Sequence, residues 1–233
     1  PRRTPKDLEE YPAFSKRASS SGGVPTYSRP QCVGPITIKD LKPLEVDLQN
    51  FKDALSASES TDAFMNAASP GVIAQFQPNQ HYPDHSSYLY ALADAMKVEY
   101  EGIAEAGLVI QIDSPDLALG RHVLFKDQSD EEFVTMAELH IEALNHALQN
   151  IPAEQLRLHV CWGNYQGPHH CDIEMKKILP AVLKAKPMAL SFEGANPRHS
   201  HEWSVFRDAK IPENKVLIPG VLDSTTNFVE HPE

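Results

Sequence analysis

Cysteine is scarce in this 233-residue chain: Cys32, Cys161 and Cys171 are the only three. They are too few and too unevenly placed for a disulfide framework, which excludes a small stapled secreted domain and fits the reducing cytoplasm, the expected compartment. No apolar run approaches the roughly 18 residues needed to cross a bilayer, so a transmembrane span is excluded. No apolar stretch follows Pro1-Arg2-Arg3-Thr4-Pro5 either, so the start does not read as a secretory signal. Positive charge is short as well, with 21 Lys and Arg against 32 Asp and Glu for a net charge of −11. The basic residues are scattered rather than gathered in a stripe, which argues against a nucleic-acid partner. A glycine-rich phosphate loop is missing, and no methionine opens the chain. The expectation is a stretch that begins part-way through a longer polypeptide.

What is present suits one substantial α/β domain, since a single α/β barrel typically takes about 250 residues. Residues 1–50 are rich in Pro, Ser, Gly and charge, including Ser19-Ser20-Ser21-Gly22-Gly23, and read as an arm or long loop without elements of its own. Residues 51–233 read as the catalytic domain. From about Thr61, short apolar runs alternate with longer amphipathic stretches, the pattern of βα units on a parallel sheet. Ala63 to Asn66 is the first predicted strand, leading to a turn at Ser69-Pro70-Gly71. Tyr88, Leu92, Met96 and Ile103 recur at helical spacing, with Ser86 or Ser87 as cap and Gly107 just past the end. Further strands are predicted at Leu108 to Asp113, Leu156 to Cys161, Met188 to Glu193 and Lys215 to Leu222, with helices through Phe133 to Leu148 and Ile173 to Lys184. Strict alternation favours a (β/α)8 TIM barrel, here incomplete, over the runner-up, a doubly wound flavodoxin-like sheet.

Polar groups gather where α/β proteins place their sites, at the carboxyl ends of strands: Asp113, the His159/Cys161 pair, Glu193 and Asp223. His159 and Cys161 are two apart, so a strand presents both on one face. Imidazole nitrogen and thiolate sulfur suit Zn²⁺, and Glu193 from the next strand can add a carboxylate. The rival reading makes the pair ordinary buried residues. Cys171, in Gly167-Pro168-His169-His170-Cys171, either completes a zinc site or sits in a loop that starts the next helix with Asp172 as cap. Asp113 ends a strand read as buried, where an unpartnered carboxylate is costly, and so reads as functional. Arg198 and His199 either bind an anionic substrate group or lie in a solvated loop.

Several stretches resemble the cobalamin-independent methionine synthases and their barrel-only relatives. They are His159-Val160-Cys161-Trp162-Gly163-Asn164, Ser191-Phe192-Glu193-Gly194-Ala195-Asn196-Pro197-Arg198 and Gly220-Val221-Leu222-Asp223-Ser224, with Met65 to Gly71 and Gln111 to Leu117 in support. The resemblance runs from about Gln31 to the last residue and touches four strand ends in order. It implies a (β/α)8 barrel with catalytic zinc on a histidine, two cysteines and a glutamate. His159, Cys161 and Glu193 match three of those ligands, and the family's second cysteine has no counterpart here. The first two strands and the last strand of the barrel are likewise missing.

The activity implied is that of a zinc-dependent methyl- or alkyltransferase of methionine-biosynthesis type. It activates a small thiol, homocysteine-like or coenzyme M-like, as a zinc thiolate that attacks an alkyl donor. Asp113, Ser69 and Arg198 are the substrate-binding residues on this reading, and Asp223 the catalytic one. Two departures point away from a folate donor: Thr225 stands where the family has a proton-donating histidine, and Leu119 where it has a folate-contacting carboxylate. Epoxyalkane:coenzyme M transferases, barrel-only relatives, apply the same zinc-thiol chemistry to an epoxide. The alternatives are a metal-free lyase or decarboxylase on a uroporphyrinogen-decarboxylase-like barrel using Asp113, and an inactive barrel fragment serving as a binding module. Open edge strands call for cover, from further strands or from a second copy in a homo-oligomer.

Overall fold

A computed structural model describes residues 5–21, 30–164, 167–223 and 226, with the side chains of 18–21 left aside. Five parallel strands form one sheet: β1 (Phe64–Ala68), β2 (Val109–Asp113), β3 (Leu156–Val160), β4 (Ala189–Phe192) and β5 (Val216–Pro219). Their spatial order is their chain order, β1-β2-β3-β4-β5. That order decides between the two α/β architectures weighed from the sequence. A doubly wound sheet reverses direction at a switch point, whereas a barrel adds each strand beside the last. The flavodoxin-like alternative is therefore corrected.

Helices connect the strands and cover one face. After β1 come α4 (Pro70–Phe76) and α5 (His85–Glu105), after β2 α6 (Gly120–Val123) and α7 (Asp130–Ala147), after β3 α8 (Met175–Val182), and after β4 α9 (Trp203–Asp208). Helix α5 starts at Asp84, whose carboxylate accepts from the Ser87 N–H at 2.7 Å, rather than at the predicted Ser86 or Ser87. It ends at Gly107, whose φ of 81° is open to glycine at little cost. Helix α7 begins with a reciprocal capping box between Ser129 and Glu132.

Strand alternation sorts the two faces. Ile110 and Ile112 of β2 and Leu156, Leu158 and Val160 of β3 are buried against Leu89, Tyr100 and Ile103 of α5 and Phe133, Ile141 and Leu144 of α7 in one core cluster. Each such side chain contributes roughly 1.5–3 kcal/mol of burial. The opposite face carries Asn66, Gln111, Arg157, His159 and Ser191, none of them buried. Polar residues mark that face as the less buried side of the sheet.

The segment 1–50 departs from the expected arm. Helices α1 (Lys6–Glu10) and α2 (Pro12–Ser21) lie in it, and α3 (Lys42–Ser56) crosses the boundary drawn at 50. The serine tract to Ser21 ends α2, and Asp7 of α1 is fully buried. An isolated sequence window shows too little apolar surface here because α1 is held by a polar anchor instead. Among the described residues no helix is long and apolar enough to cross a membrane.

Candidate active site at the strand ends

Register brings the strand ends into line. Ala68 pairs with Asp113, Asp113 with His159, His159 with Ser191, and Ser191 with Ile218. Residues in one row of a parallel sheet point the same way, about 4.8 Å apart, so Asp113, His159 and Ser191 share the inner face. His159 Nδ1 lies 3.4 Å from Ser191 Oγ. Cys161 follows on the same face as His159, just beyond β3.

His159, Cys161, Glu193 and Asp223 line one cavity of about 220 Å³ together with Asn164, Ser191 and Asn196. Glu193 is fixed from two sides: Asn196 Nδ2 donates to Oε2 at 2.5 Å, and the Trp162 N–H donates to Oε1 at 3.5 Å. The Cys161 sulfur accepts from the Gly163 N–H at 3.2 Å. Burial pushes the Cys161 thiol up to about 11; the Gly163 N–H opposes this, and the nearby carboxylates of Glu193, Asp113 and Asp172 add to it. The three donors are arranged around one cavity rather than drawn into mutual contact. The His/Cys/Asp/Glu groups whose ligand atoms all lie within 4.8 Å of one another, among the described residues, are elsewhere.

The substrate-binding candidates fare differently. Asp113 is exposed at the open mouth, which corrects the expectation of a buried carboxylate; partial desolvation and Asp116 still raise its pKa, with His159 opposing. Ser69, expected as a substrate contact, makes structural hydrogen bonds. It is buried, its oxygen caps α4 by accepting from Val72 N–H at 3.0 Å, and its hydroxyl donates to Asp116 Oδ1 at 2.6 Å. Arg198 is half-buried on the loop after β4, its N–H bonded to Asn196 Oδ1 at 3.1 Å, and it is not part of the cavity wall. Asp223 accepts from Thr226 Oγ1 at 2.7 Å, while Thr225 lies outside the described residues.

Two buried polar networks escaped the sequence reading. In the first, Asp116 joins Ser69 to His140 Nδ1 at 2.8 Å, and His140 Nε2 meets His85 Nε2 at 2.8 Å. Gly71 leaves room for it, because a Cβ there would stand 2.0 Å from Asp116 Oδ2. In the second, His199 bridges Asp172 at 2.8 Å and Glu202 at 3.0 Å while stacking on Trp162 with ring centroids 4.1 Å apart. Burial opposes charge on His199, but the two carboxylates outweigh it and raise its pKa to about 9. Asp172 is thus an acceptor for His169 and His199 rather than a helix cap. Trp162 Nε1 donates to Ile173 O at 2.8 Å, fixing the wall behind Cys161.

Five consecutive parallel strands with helices between them, and polar side chains gathered at their carboxyl ends, define an α/β protein with barrel-like strand order. Its relatives are methionine synthases. Over 173 residues the chain is 29% identical to the methionine synthase of Saccharolobus solfataricus, covering 72% of this chain and 47% of that protein. Over 145 residues it is 30% identical to the methionine synthase of a Saccharolobus islandicus strain, covering 60% and 40%. The chain therefore spans about half the length, or less, of these curated relatives. Among solved structures, a B12-independent methionine synthase from Shewanella sp. W3-18-1 in complex with selenomethionine superposes with a TM-score of 0.61 at 18% identity, covering 85% of this chain and 54% of that one. No protein-family model matches.

Proposed function

We propose that the chain carries the thiol-activating part of a zinc-dependent methyl- or alkyltransferase on a (β/α)8 barrel. The observation that carries this reading is the placement of His159, Cys161 and Glu193 around one cavity at the ends of two adjacent strands. The donor set fits zinc: one imidazole, one thiol and one carboxylate are ligands it takes in catalytic sites with an open position. Bound there, zinc supplies the Lewis acidity that makes a small thiol nucleophilic at neutral pH.

The remaining steps fall to the chain's own groups. Asn196 and the Trp162 N–H orient the Glu193 carboxylate, as second partners of metal ligands do. Asp113, exposed beside His159, is placed to take the ammonium group of an amino-acid-like thiol. Asp223, which lines the same cavity as Cys161, is the proposed catalytic carboxylate. Arg198, one loop away, is suited to an anionic end of the substrate. Leu119, which replaces the family's folate-contacting carboxylate, favours a donor other than a folate, in keeping with relatives that alkylate coenzyme M. The small thiol and its alkyl donor are the partners, and the cytoplasm is the proposed compartment.

The test is zinc content and thiol alkylation of the protein before and after Cys161→Ser and His159→Ala. The expected outcome is loss of one zinc equivalent together with alkylation of a small thiol. Retention of both in Cys161→Ser would refute the reading.

A further inference from the structure

A second polar centre lies away from the barrel mouth, where the N-terminal helix meets the loop between β3 and α8. Asp7 of α1 is fully buried there and belongs to two convergent groups, Asp7–His170–Cys171 and Asp7–His122–Asp172, in each of which the ligand atoms lie within 4.8 Å of one another. His122, on α6, is 1% exposed and has carboxylate oxygens on both sides: Asp7 Oδ2 at 3.3 Å from Nε2 and Asp172 Oδ1 at 3.4 Å from Nδ1. Neither ring nitrogen makes a hydrogen bond, and neither do Asp7 Oδ2 or Asp172 Oδ1.

That arrangement has a missing positive charge. A neutral imidazole has one N–H, so one of its lone pairs faces a carboxylate oxygen with nothing between them. Buried anions left this way are costly. Charge-assisted N–H···O⁻ bonds close to about 2.7–2.9 Å, shorter than either contact here. A separation of about 3.4 Å is instead the edge of a tetrahedron whose centre lies 2.0–2.1 Å from nitrogen and 2.0–2.2 Å from oxygen, the lengths of zinc-ligand bonds.

We propose that Asp7, His170 and Cys171, bordered by His122 and Asp172 through the shared Asp7, form a structural site for a zinc-class divalent cation, separate from His159, Cys161 and Glu193. His122 borders the ion, with Nε2 toward Asp7 Oδ2 and Nδ1 toward Asp172 Oδ1. His170 repeats the pattern: Nδ1 is 3.1 Å from Asp7 Oδ1, and Nε2 lies 2.6 Å from Glu10 Oε2. A ligating histidine whose other nitrogen is held by a carboxylate is the usual second partner of metal sites. Mixed nitrogen, sulfur and oxygen donors select zinc-class ions over calcium or magnesium. The Cys171 N–H, donating to Asp7 Oδ1 at 2.9 Å, keeps the aspartate turned for binding. His170 is 40% exposed at its side chain and gives the ion a way in. The site clips α1 onto the loop that also carries Asp172, behind Trp162 and the barrel mouth.

The experiment uses Co²⁺ as probe in the Cys161→Ser protein, so that the mouth site and this one are read apart. The expected result is about one bound Co²⁺ with thiolate-to-cobalt absorption in the near ultraviolet, which Cys171→Ser abolishes while weakening binding at least ~100-fold. His170→Ala, at a half-exposed position, gives the same weakening with the helical circular dichroism intact. A chelator should lower the melting temperature of Cys161→Ser but not that of Cys161→Ser/Cys171→Ser. No Co²⁺ bound by Cys161→Ser, or absorption untouched by Cys171→Ser, overturns the proposal and assigns the missing charge to a proton on His122.

Discussion

Gly71→Ala probes the network under the first strand end with a single methyl group. Its Cβ would lie 2.0 Å from Asp116 Oδ2, 2.5 Å from Asp116 Cγ and 2.5 Å from His140 Nδ1. None of these can retreat, since Asp116 and His140 are each 2% exposed and held at both ends. Making room breaks the Ser69–Asp116 and Asp116–His140 hydrogen bonds, and bonds to a charged group are worth about 1.5–3 kcal/mol each. Allowing for relaxation, the loss comes to about 4 kcal/mol, in the tail of single-substitution effects. Urea unfolding reads this as a lower midpoint at unchanged slope. The accompanying control is Gly71→Ala on an Asp116→Ala background, where the methyl has space and should cost under about 1 kcal/mol more. A loss below about 1 kcal/mol for Gly71→Ala alone would refute the reasoning, because the carboxylate would then be free to move.

Other outcomes follow from the same geometry. The folded pKa of His199, about 9, lies above its unfolded value of 6.5. Its stabilisation is therefore complete below pH 6.5 and lost as pH rises through 9, by up to about 3 kcal/mol. His199→Gln should flatten that part of the stability profile measured by urea midpoints. Ser129→Ala removes one half of the α7 capping box and should cost about 1 kcal/mol by the same assay. Asn196→Ala releases the Glu193 carboxylate and should weaken zinc binding at the mouth ~10–100-fold in a chelator competition, with a stability loss of about 1–3 kcal/mol as Arg198 N–H loses its acceptor.

Much of the fold was legible along the chain. Short apolar runs marked all five strands to within a few residues, because strands of a parallel sheet covered by helices are largely apolar. Gly107 announced the end of α5 because few other residues adopt its φ. The pairing of His159 with Cys161 on one face needed only the strand period. Less legible was the N-terminal segment, whose α1 is anchored by a buried aspartate instead of an apolar stripe and so leaves no periodic signal.

Local pattern thus specified the elements, their alternation and the donors at the strand ends of β3 and β4. Tertiary structure decided the rest. The order of strands in the sheet, and with it the exclusion of a doubly wound topology, depends on which edges pair across long connections. Ser69, a motif residue by sequence, became a cap and a partner for Asp116 because 47 positions of chain fold back between them. His85 meets His140 across 55 positions, and Asp7 meets the Cys171 N–H across 164. Hydrogen bonds and ligand contacts of this kind carry no periodicity, so only the packed sheet and its helices bring their atoms together.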